Sequence, residues 1–326
     1  MIRALKFILR SRMKCSRVIE QEGGFTLIEL LVALLISFLV ITPLLGFMIN
    51  VMNTDRQEQA KANSEQELQA ALDYINRDLQ QAVYIYDATG IDKIKAQLPD
   101  KDATDKVPVL VFWKRELVSA VIEAEDKTKD DSFVYSLVAY YLIKDTSSTW
   151  SKAARIARWQ LRDGVSATSG VDCTGYTGKY ISGNCPDTGF APFKLDGSGS
   201  LEKKMNEWTK ATTAYDLTKT PFRVLVDFID QTTTGAPTAT CPPDSTSPAI
   251  TWSKVTPTSF NTIDTGKMTG FYACIDRANT TAQVILRGNA LARTETDSSR
   301  INYADGKKTY FPTTSLRVQG RGYLFK

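Results

Sequence analysis

The pattern of apolar residues is dominated by one run near the start of the chain. Between Phe25 and Ile49 the only charged residue is Glu29, and most of the others are apolar. Because a helix of about 20 residues crosses the roughly 30 Å hydrocarbon core of a bilayer, this run predicts a transmembrane helix over residues 25–50. Pro43 lies inside the run. Proline removes a backbone hydrogen bond, so we expect a kink at this position.

A helical pattern continues after the apolar run, where the composition becomes polar. No glycine or proline interrupts residues 55–82. Apolar side chains recur at steps of four, three, four and four residues, at Leu68, Leu72, Ile75, Leu79 and Val83. This spacing predicts an amphipathic segment over residues 51–86 whose apolar stripe packs on a globular head, or alternatively forms a groove for a partner. Asp78 is expected to lie mostly on another face. The pattern predicts one helix over about residues 25–86.

Residues 87–326 have the composition of a β-rich head. Stretches rich in β-branched and aromatic residues are predicted to be strands, and they are Val107–Trp113, Phe133–Ile143, Ala154–Leu161, Phe222–Ile229, Gly270–Asp276, Ala282–Arg287 and Ser315–Phe325. A long N-terminal helix lying on an antiparallel sheet is an α+β arrangement, which is the predicted fold class.

Two long segments interrupt the strand pattern. Residues 163–220 are rich in glycine, and residues 231–269 are rich in proline, threonine and serine. Both are long for loops inside a compact domain, which indicates either a function or solvated decoration. They are candidate surfaces for partners.

The start of the apolar run carries a recognisable signal. Gly24 and Phe25 precede Thr-Leu-Ile-Glu, so Glu29 is the fifth residue counted from Phe25. This motif, followed by an apolar helix, resembles the processing signal of type IV prepilins and pseudopilins. In that family a membrane aspartyl peptidase cuts after the glycine and methylates the new N-terminal phenylalanine. The resemblance implies removal of residues 1–24 as a leader, N-methylation of Phe25 and a role for Glu29 in assembly. It covers about the first tenth of the chain.

Physical chemistry supports these roles independently. Gly24 has no side chain, so an extended substrate can approach the catalytic carboxylates of a protease closely there. Cleavage creates an α-ammonium group on Phe25, which can neutralise the Glu29 carboxylate within a subunit or between neighbouring subunits. An unpaired charge in low dielectric costs several kcal/mol, so this pair could set the register of assembly. The alternative is an uncleaved signal anchor that contains a glutamate by chance.

The net charge of +4 belongs to the leader. Residues 1–24 contain six basic and two acidic residues, and the rest of the chain contains 34 of each. The basic leader predicts a cytoplasmic N-terminus and a translocated head. Because the remaining chain is formally neutral, electrostatics give no reason to expect nucleic-acid binding.

Cysteine usage points to disulfides in the translocated part. Cys15 lies in the leader, and the rest of the chain keeps four cysteines. We predict the pairs Cys173–Cys185 and Cys241–Cys274, because each closes a local loop rich in glycine, threonine or proline. A zinc site with four thiolates is the alternative, although the spacing contains no CxxC.

Little in the sequence indicates catalysis or cofactor binding. The chain contains no histidine, which excludes Ser-His-Asp and Cys-His catalysis and zinc sites with histidine ligands. Residues 196–202, Asp-Gly-Ser-Gly-Ser-Leu-Glu, place oxygen atoms at alternate positions and weakly suggest a calcium loop, with a polar turn as the alternative. We expect no enzyme activity, no catalytic residues and no required cofactor or metal.

The whole chain most resembles the larger minor subunits of the family, above all the C-type hormogonium polysaccharide secretion pseudopilins, and the PilW-like and type II secretion J-like proteins. The resemblance implies a pilin-like fold and a single-pass inner-membrane protein that enters a periplasmic or extracellular pilus. Its implied partners are the prepilin peptidase, other pilins or pseudopilins, the inner-membrane assembly platform and the lipid bilayer. The implied function is secretion, with polysaccharide as the cargo, in support of gliding motility. The alternatives are a module at a pilus tip that binds a surface, sugar or DNA, and an anchored periplasmic enzyme.

Overall fold

A computed structural model of the chain describes residues 24–123, 127–257, 268–295 and 297–321. The chain divides into two compact units, residues 1–54 and residues 55–326. The leader lies outside the described residues, apart from Gly24. Helix α1, Leu27–Gln80, is 54 residues long and supplies the described helical residues of the first unit and the first helix of the second.

The end of α1 corrects one prediction. The helix stops at Gln80 rather than near residue 86, and Ala82–Ile85 forms strand β1, in which all four residues are buried. Val83, the last member of the predicted helical stripe, belongs to this strand. β1 pairs antiparallel with β2 (Lys106–Glu123), and this distant pairing overrides the helical spacing.

The first sheet of the second unit contains five of the described strands, in the order β1-β2-β3-β4-β8. Its remaining strands are β3 (Lys129–Ile143), β4 (Ala154–Arg162) and β8 (Arg223–Ile229). The neighbouring strands are antiparallel throughout. Before β2 the chain forms helix α2, Ala88–Ile94, where the Asp87 side chain accepts a hydrogen bond from the Gly90 amide and caps the helix.

A second antiparallel sheet follows in the same unit, in the order β11-β12-β13-β14. Its strands are β11 (Ser253–Val255), β12 (Phe271–Asp276), β13 (Thr281–Arg287) and β14 (Thr313–Gln319). Each of the seven predicted strands overlaps an observed one, and the α+β fold class is confirmed. Residues 322–326, at the end of the last predicted strand, lie outside the described residues.

The apolar stripe of α1 belongs to the main core. Leu68, Leu72, Ile75 and Leu79 are each at most 2% exposed. They share one hydrophobic cluster with apolar residues from both sheets. Burying a side chain of this size contributes about 1.5–3 kcal/mol, so the stripe is a principal source of the attachment of α1 to the sheets.

The segment 163–220 packs against one face of the first sheet. It contains the short strands β5 (Ser166–Ala167), β6 (Val171–Asp172) and β7 (Lys179–Tyr180) and helix α3 (Leu201–Asn206). Two of its aromatic rings make edge-to-face contacts with tryptophans of the sheet: Trp208 lies 5.6 Å from Trp113, and Tyr215 lies 5.1 Å from Trp159. Phe190, Met205 and Trp208 of this segment therefore belong to the core, whereas many of its other residues are exposed to solvent.

Helix α1 covers the opposite face of the same sheet. In β2, Trp113 is followed by Lys114, and in β4, Trp159 is preceded by Arg158. Both Lys114 and Arg158 bond to Asp78 of α1. Successive residues of a strand point to opposite faces, so α1 and the segment 163–220 lie on the two sides of the sheet.

The segment after β8 covers the second sheet in the same way. It contains the short strands β9 (Ser245–Thr246) and β10 (Ala249–Ile250). Tyr272 and Cys274 of β12 form a small cluster with Ala239, Cys241 and Trp252, whereas the alternate residues of β12 belong to the main core. The described part of this segment thus closes the outer face of the sheet.

Both covering segments take part in disulfides. Cys173 bonds to Cys185, and Cys241 bonds to Cys274, with 12 and 33 residues of sequence separation. These are the two pairs that the sequence predicted. The first is local to the segment 163–220, whereas the second joins the outer layer to a central strand of the second sheet.

Replacing both Cys241 and Cys274 with alanine should lower the free energy of unfolding by about 4 kcal/mol, because the reduced unfolded chain gains the entropy of an open loop. The same change at Cys173 and Cys185 should cost about 3 kcal/mol, because that loop is shorter. Denaturant unfolding of the full chain in detergent, followed by tryptophan fluorescence, measures both values. Equal stability of the wild type and the Cys241/Cys274 double variant would contradict the account.

Candidate functional site

The proposed cleavage site lies immediately before α1. Residues 24–26 have no helical or strand structure and are exposed, and α1 begins at Leu27. A Cβ atom added at Gly24 would meet no atom within 4 Å among the residues that the structure describes, its chain neighbours apart. Packing in this part of the chain therefore gives no reason for a glycine at this position. An external partner such as a peptidase would supply one.

Thr26 and Glu29 form the cap of the helix. The Thr26 hydroxyl accepts a hydrogen bond from the Glu29 backbone amide at 3.3 Å, and the same hydroxyl lies 3.5 Å from the Glu29 carboxylate. The Thr26 carbonyl accepts bonds from the amides of Glu29 and Leu30 at 3.0 and 3.1 Å. This is a threonine at the cap position with a glutamate three residues later, as in a capping box. The first turn of α1 thus fixes the position of the Glu29 backbone.

Within the described residues, the Glu29 carboxylate makes only this weak neutral contact. The side chain is exposed and stands in the first turn of an apolar helix. A carboxylate at the edge of a bilayer favours a positively charged partner. In the uncleaved chain the nitrogen of Phe25 belongs to a peptide bond and carries no charge. The pairing of Phe25 with Glu29 therefore remains a prediction about the processed chain.

The apolar part of α1 is exposed within its own unit. Large side chains such as Leu27, Phe38 and Phe47 are 85%, 70% and 69% exposed. The helix is long and apolar enough to cross a membrane. It continues through Pro43, and the preceding Thr42 hydroxyl donates a bond to the Phe38 carbonyl at 2.8 Å. The kink predicted at Pro43 remains a prediction.

A buried carboxylate connects α1 to three strands of the first sheet. Asp78 is 6% exposed and bonds to Lys114 of β2 at 3.0 Å, Tyr140 of β3 at 2.8 Å and Arg158 of β4 at 2.6 Å. Burial alone would raise the pKa of Asp78, but the hydrogen bond and charge of Arg158, with help from Lys114 and Tyr140, bring it below its ordinary value. The prediction that Asp78 lies away from the buried face is wrong. We call Asp78 and its three partners the Asp78 anchor.

A second carboxylate provides a prediction of pH dependence. Asp145 accepts two bonds from Arg155, at 2.8 and 2.5 Å, and these lower its pKa from 3.8 to about 2. A lowered pKa stabilises the fold above the unfolded value and loses this effect as the pH falls. Asp145→Asn should therefore destabilise the protein at neutral pH, and the difference from the wild type should vanish between pH 3.8 and about 2.

The wild type must be compared with Asp145→Asn because other carboxyl groups have the opposite effect on stability as the pH falls. Burial raises the pKa of Asp163 and of Asp187, so these two favour the folded state as the pH falls. Denaturant unfolding of both proteins at several pH values isolates the contribution of Asp145. A difference that stays constant down to the lower limit would contradict the assignment.

Two oxygen-bearing side chains of the candidate calcium loop take part in other interactions. Ser200 caps α3 by accepting a bond from the Lys203 amide, and Glu202 forms an ion pair with Arg277 at 2.5 Å. In the described part of the chain no group of three or more histidine, cysteine, aspartate or glutamate side chains is placed to hold a metal ion. The cysteines that a zinc site would require are disulfide-bonded.

The sequence patterns did not identify the roles of two structurally important residues, Thr26 and Asp78. Thr26 could have been found, because a threonine three residues before a glutamate at a helix start is a capping signal. Asp78 lies three residues after Ile75 and next to Leu79, on the flank of the apolar stripe. Its position permitted burial, but its partners are distant in sequence and gave no local signal.

Comparison with known proteins supports the signal at the start of α1. Residues 21–45 match a family model described as the prokaryotic N-terminal methylation motif. This motif supports a type IV pilin-like or pseudopilin protein, and it implies processing by a prepilin peptidase and assembly with other pilins. No curated protein and no solved structure matches the chain.

Proposed function

We propose that this protein is a minor pseudopilin, inserted in the inner membrane, cleaved between Gly24 and Phe25, and added to a pilus that supports secretion. The observation that carries the proposal is the methylation motif at residues 21–45, which continues into an exposed apolar helix. The protein acts as an assembly component and not as an enzyme. Its orientation places the second unit in the periplasm, with the basic leader on the cytoplasmic side.

The chemistry of assembly depends on the charge that cleavage creates. Glu29 is the one charged residue of the apolar run. After the cut, the amino group of Phe25 supplies a cation at the end of the same helix. A subunit in which both charges are present can pair them with each other or with those of a neighbour. A misplaced subunit would leave a charge unpaired in low dielectric, which costs several kcal/mol. The pair thus favours one register between subunits.

The finer assignment concerns which subunit this is and what the pilus exports. The second unit spans residues 55–326 and carries two sheets, each covered on its outer face by a segment that takes part in a disulfide. A unit of this size suits a position that occurs once or a few times, such as the start or tip of a pilus, better than a repeated position. Resemblance to polysaccharide secretion pseudopilins makes polysaccharide the proposed cargo and gliding motility the proposed process.

Substitution of Glu29 separates its charge from its contribution to the helix cap. Glutamine can replace glutamate in a capping box, so Glu29→Gln preserves the cap and removes the charge. We expect Glu29→Gln to be cleaved normally and to enter pili at least about 10-fold less than the wild type, because the Phe25 ammonium loses its counter-charge. Immunoblots of membrane and sheared pilus fractions measure cleavage and assembly separately.

Thr26→Val is the matched control for this experiment. It removes the hydroxyl that caps the helix at 3.3 Å and leaves the charge of Glu29 unchanged. We expect the Thr26→Val variant to assemble far better than Glu29→Gln. Normal assembly of Glu29→Gln would contradict the charge-pair role, and failure of Thr26→Val alone would assign the function of the motif to the cap.

A further inference from the structure

A polar pocket lies on the first sheet beside α1 and next to the Asp78 anchor. Its volume is about 290 Å³. It is formed within the second unit by side chains from α1, β2, β4, β8 and the segment between β4 and β8. Those that matter most for its chemistry are Tyr74, Glu116, Gln160, Arg162, Asp187 and Arg223.

Hydrogen bonds hold the floor of the pocket in place. The Gln160 amide donates to Glu116 at 2.6 Å and to the Ser136 hydroxyl at 3.1 Å, and its oxygen accepts a bond from Arg158 at 2.6 Å. Arg158 is in turn bound to buried Asp78. Side chains that are already fixed lose little entropy when they bind a ligand, so this floor is preorganised.

The pocket has more positive than negative charge. Arg158, Arg162, Lys219 and Arg223 line it together with Glu116 and Asp187. Arg158 and Arg223 face each other directly on paired strands. Like charges in that position repel, and Asp78 offsets only the buried one of the two.

Two other features of the pocket concern Arg162 and Arg223, which both line it. The Arg162 guanidinium donates from Nη2 to the Asn184 side-chain oxygen at 3.3 Å, and its Nε atom is enclosed without a hydrogen-bond partner in the described chain. Arg223 is exposed at the mouth of the pocket. A carboxylate accepts two parallel bonds from a guanidinium group. A carboxylate bound in the pocket would therefore pair with exposed Arg223 and reduce its repulsion with Arg158.

The other lining groups restrict what carries that carboxylate. Glu116 and Asp187 would repel a multiply charged phosphate, but their oxygens can accept hydrogen bonds from hydroxyl groups. Tyr74, 41% exposed, and Pro221 supply apolar surface at the rim. A ligand with one negative charge, several hydroxyls and one apolar face matches this set. We propose that the pocket binds a hexuronic acid unit of an acidic saccharide. This binding does not depend on cleavage or assembly.

The test uses the purified full chain in a detergent without a sugar headgroup. Isothermal titration calorimetry compares trigalacturonate with the neutral galactose trimer. We expect binding of the acidic trimer and at least about 10-fold weaker binding of the neutral one, because the latter lacks a charge-assisted bond. Arg223→Gln should weaken the binding of trigalacturonate by about 10-fold or more. Arg300→Gln, at an exposed arginine outside the pocket, should bind like the wild type.

A further arm separates a sugar site from a simple anion site. Tyr74→Ser should weaken trigalacturonate binding and leave the binding of inorganic sulfate unchanged. Tryptophan fluorescence melting of each variant verifies that it is folded. The proposal is overturned if trigalacturonate does not bind the folded wild type, if Arg223→Gln and Arg300→Gln bind it equally, or if sulfate competes fully and Tyr74→Ser has no effect.

Discussion

Replacing Asp78 with alanine should lower the free energy of unfolding by about 3–5 kcal/mol, because it leaves buried Arg158 without its counter-charge and leaves Lys114 with Glu116 alone, at 3.7 Å. Lys114 and Arg158 are 6% and 8% exposed, and the Tyr140 hydroxyl also loses its acceptor. A typical domain is stable by only about 5–15 kcal/mol, so this variant should be close to unfolding at 37 °C. Denaturant unfolding of the full chain in detergent, followed by tryptophan fluorescence, measures the loss.

Asp73→Ala is the matched control for this variant. Asp73 lies five residues earlier in α1, is exposed, and its side chain has no bond to either sheet that the described residues show. Its replacement should change the free energy of unfolding by no more than about 0.5 kcal/mol. A triple variant with leucine at Asp78 and methionine at Lys114 and Arg158 should recover stability, since replacing a whole buried ion cluster by apolar groups is often neutral. Equal stability of Asp78→Ala and Asp73→Ala would show that the anchor does not hold α1 to the sheet.

The second large effect is expected at the cleavage site. Gly24→Val should reduce removal of the leader by about 100-fold or more, because a branched side chain beside the scissile bond displaces the substrate from the catalytic carboxylates. Packing among the described residues offers no other reason for such an effect, since a Cβ at Gly24 meets none of their atoms within 4 Å. Intact-mass measurement of membrane fractions gives the fraction of chains that have lost residues 1–24.

Gly46→Ala provides the control for expression and membrane insertion. Outside the backbone of its own helix, a Cβ at Gly46 also meets no atom of the described residues within 4 Å, and the position lies inside α1, well after the cleavage site. We expect this variant to be processed like the wild type. Normal processing of Gly24→Val, or an equal defect in both variants, would argue against recognition of Gly24 by a peptidase.

The sequence was informative wherever the decisive interactions are local. The spacing of Gly24, Phe25 and Glu29 is itself the signal, so no fold was needed to recognise it. The stripe from Leu68 to Leu79 was equally clear, because helical periodicity determines which side chains share a face. The strands were predicted from their content of β-branched and aromatic residues, which is also a local property of the chain.

Distant interactions were not predictable in this way. Val83 continues the helical spacing after Leu79, and only the pairing of β1 with β2 makes it part of a strand. The partners of Asp78 are 36, 62 and 80 residues away in sequence, so its burial depends on the folded sheet. The pocket beside it joins five segments of the chain and had no sequence motif.

The central claim is that cleavage after Gly24 gives the Glu29 carboxylate a partner, the new amino group of Phe25. Determining the N-terminus of the protein from its native membrane tests this claim most directly. Peptide mass spectrometry should show a chain that begins at Phe25 and carries one methyl group on its amino nitrogen. A chain that retains residues 1–24, or one cut after the apolar run that ends at Ile49, would contradict the account.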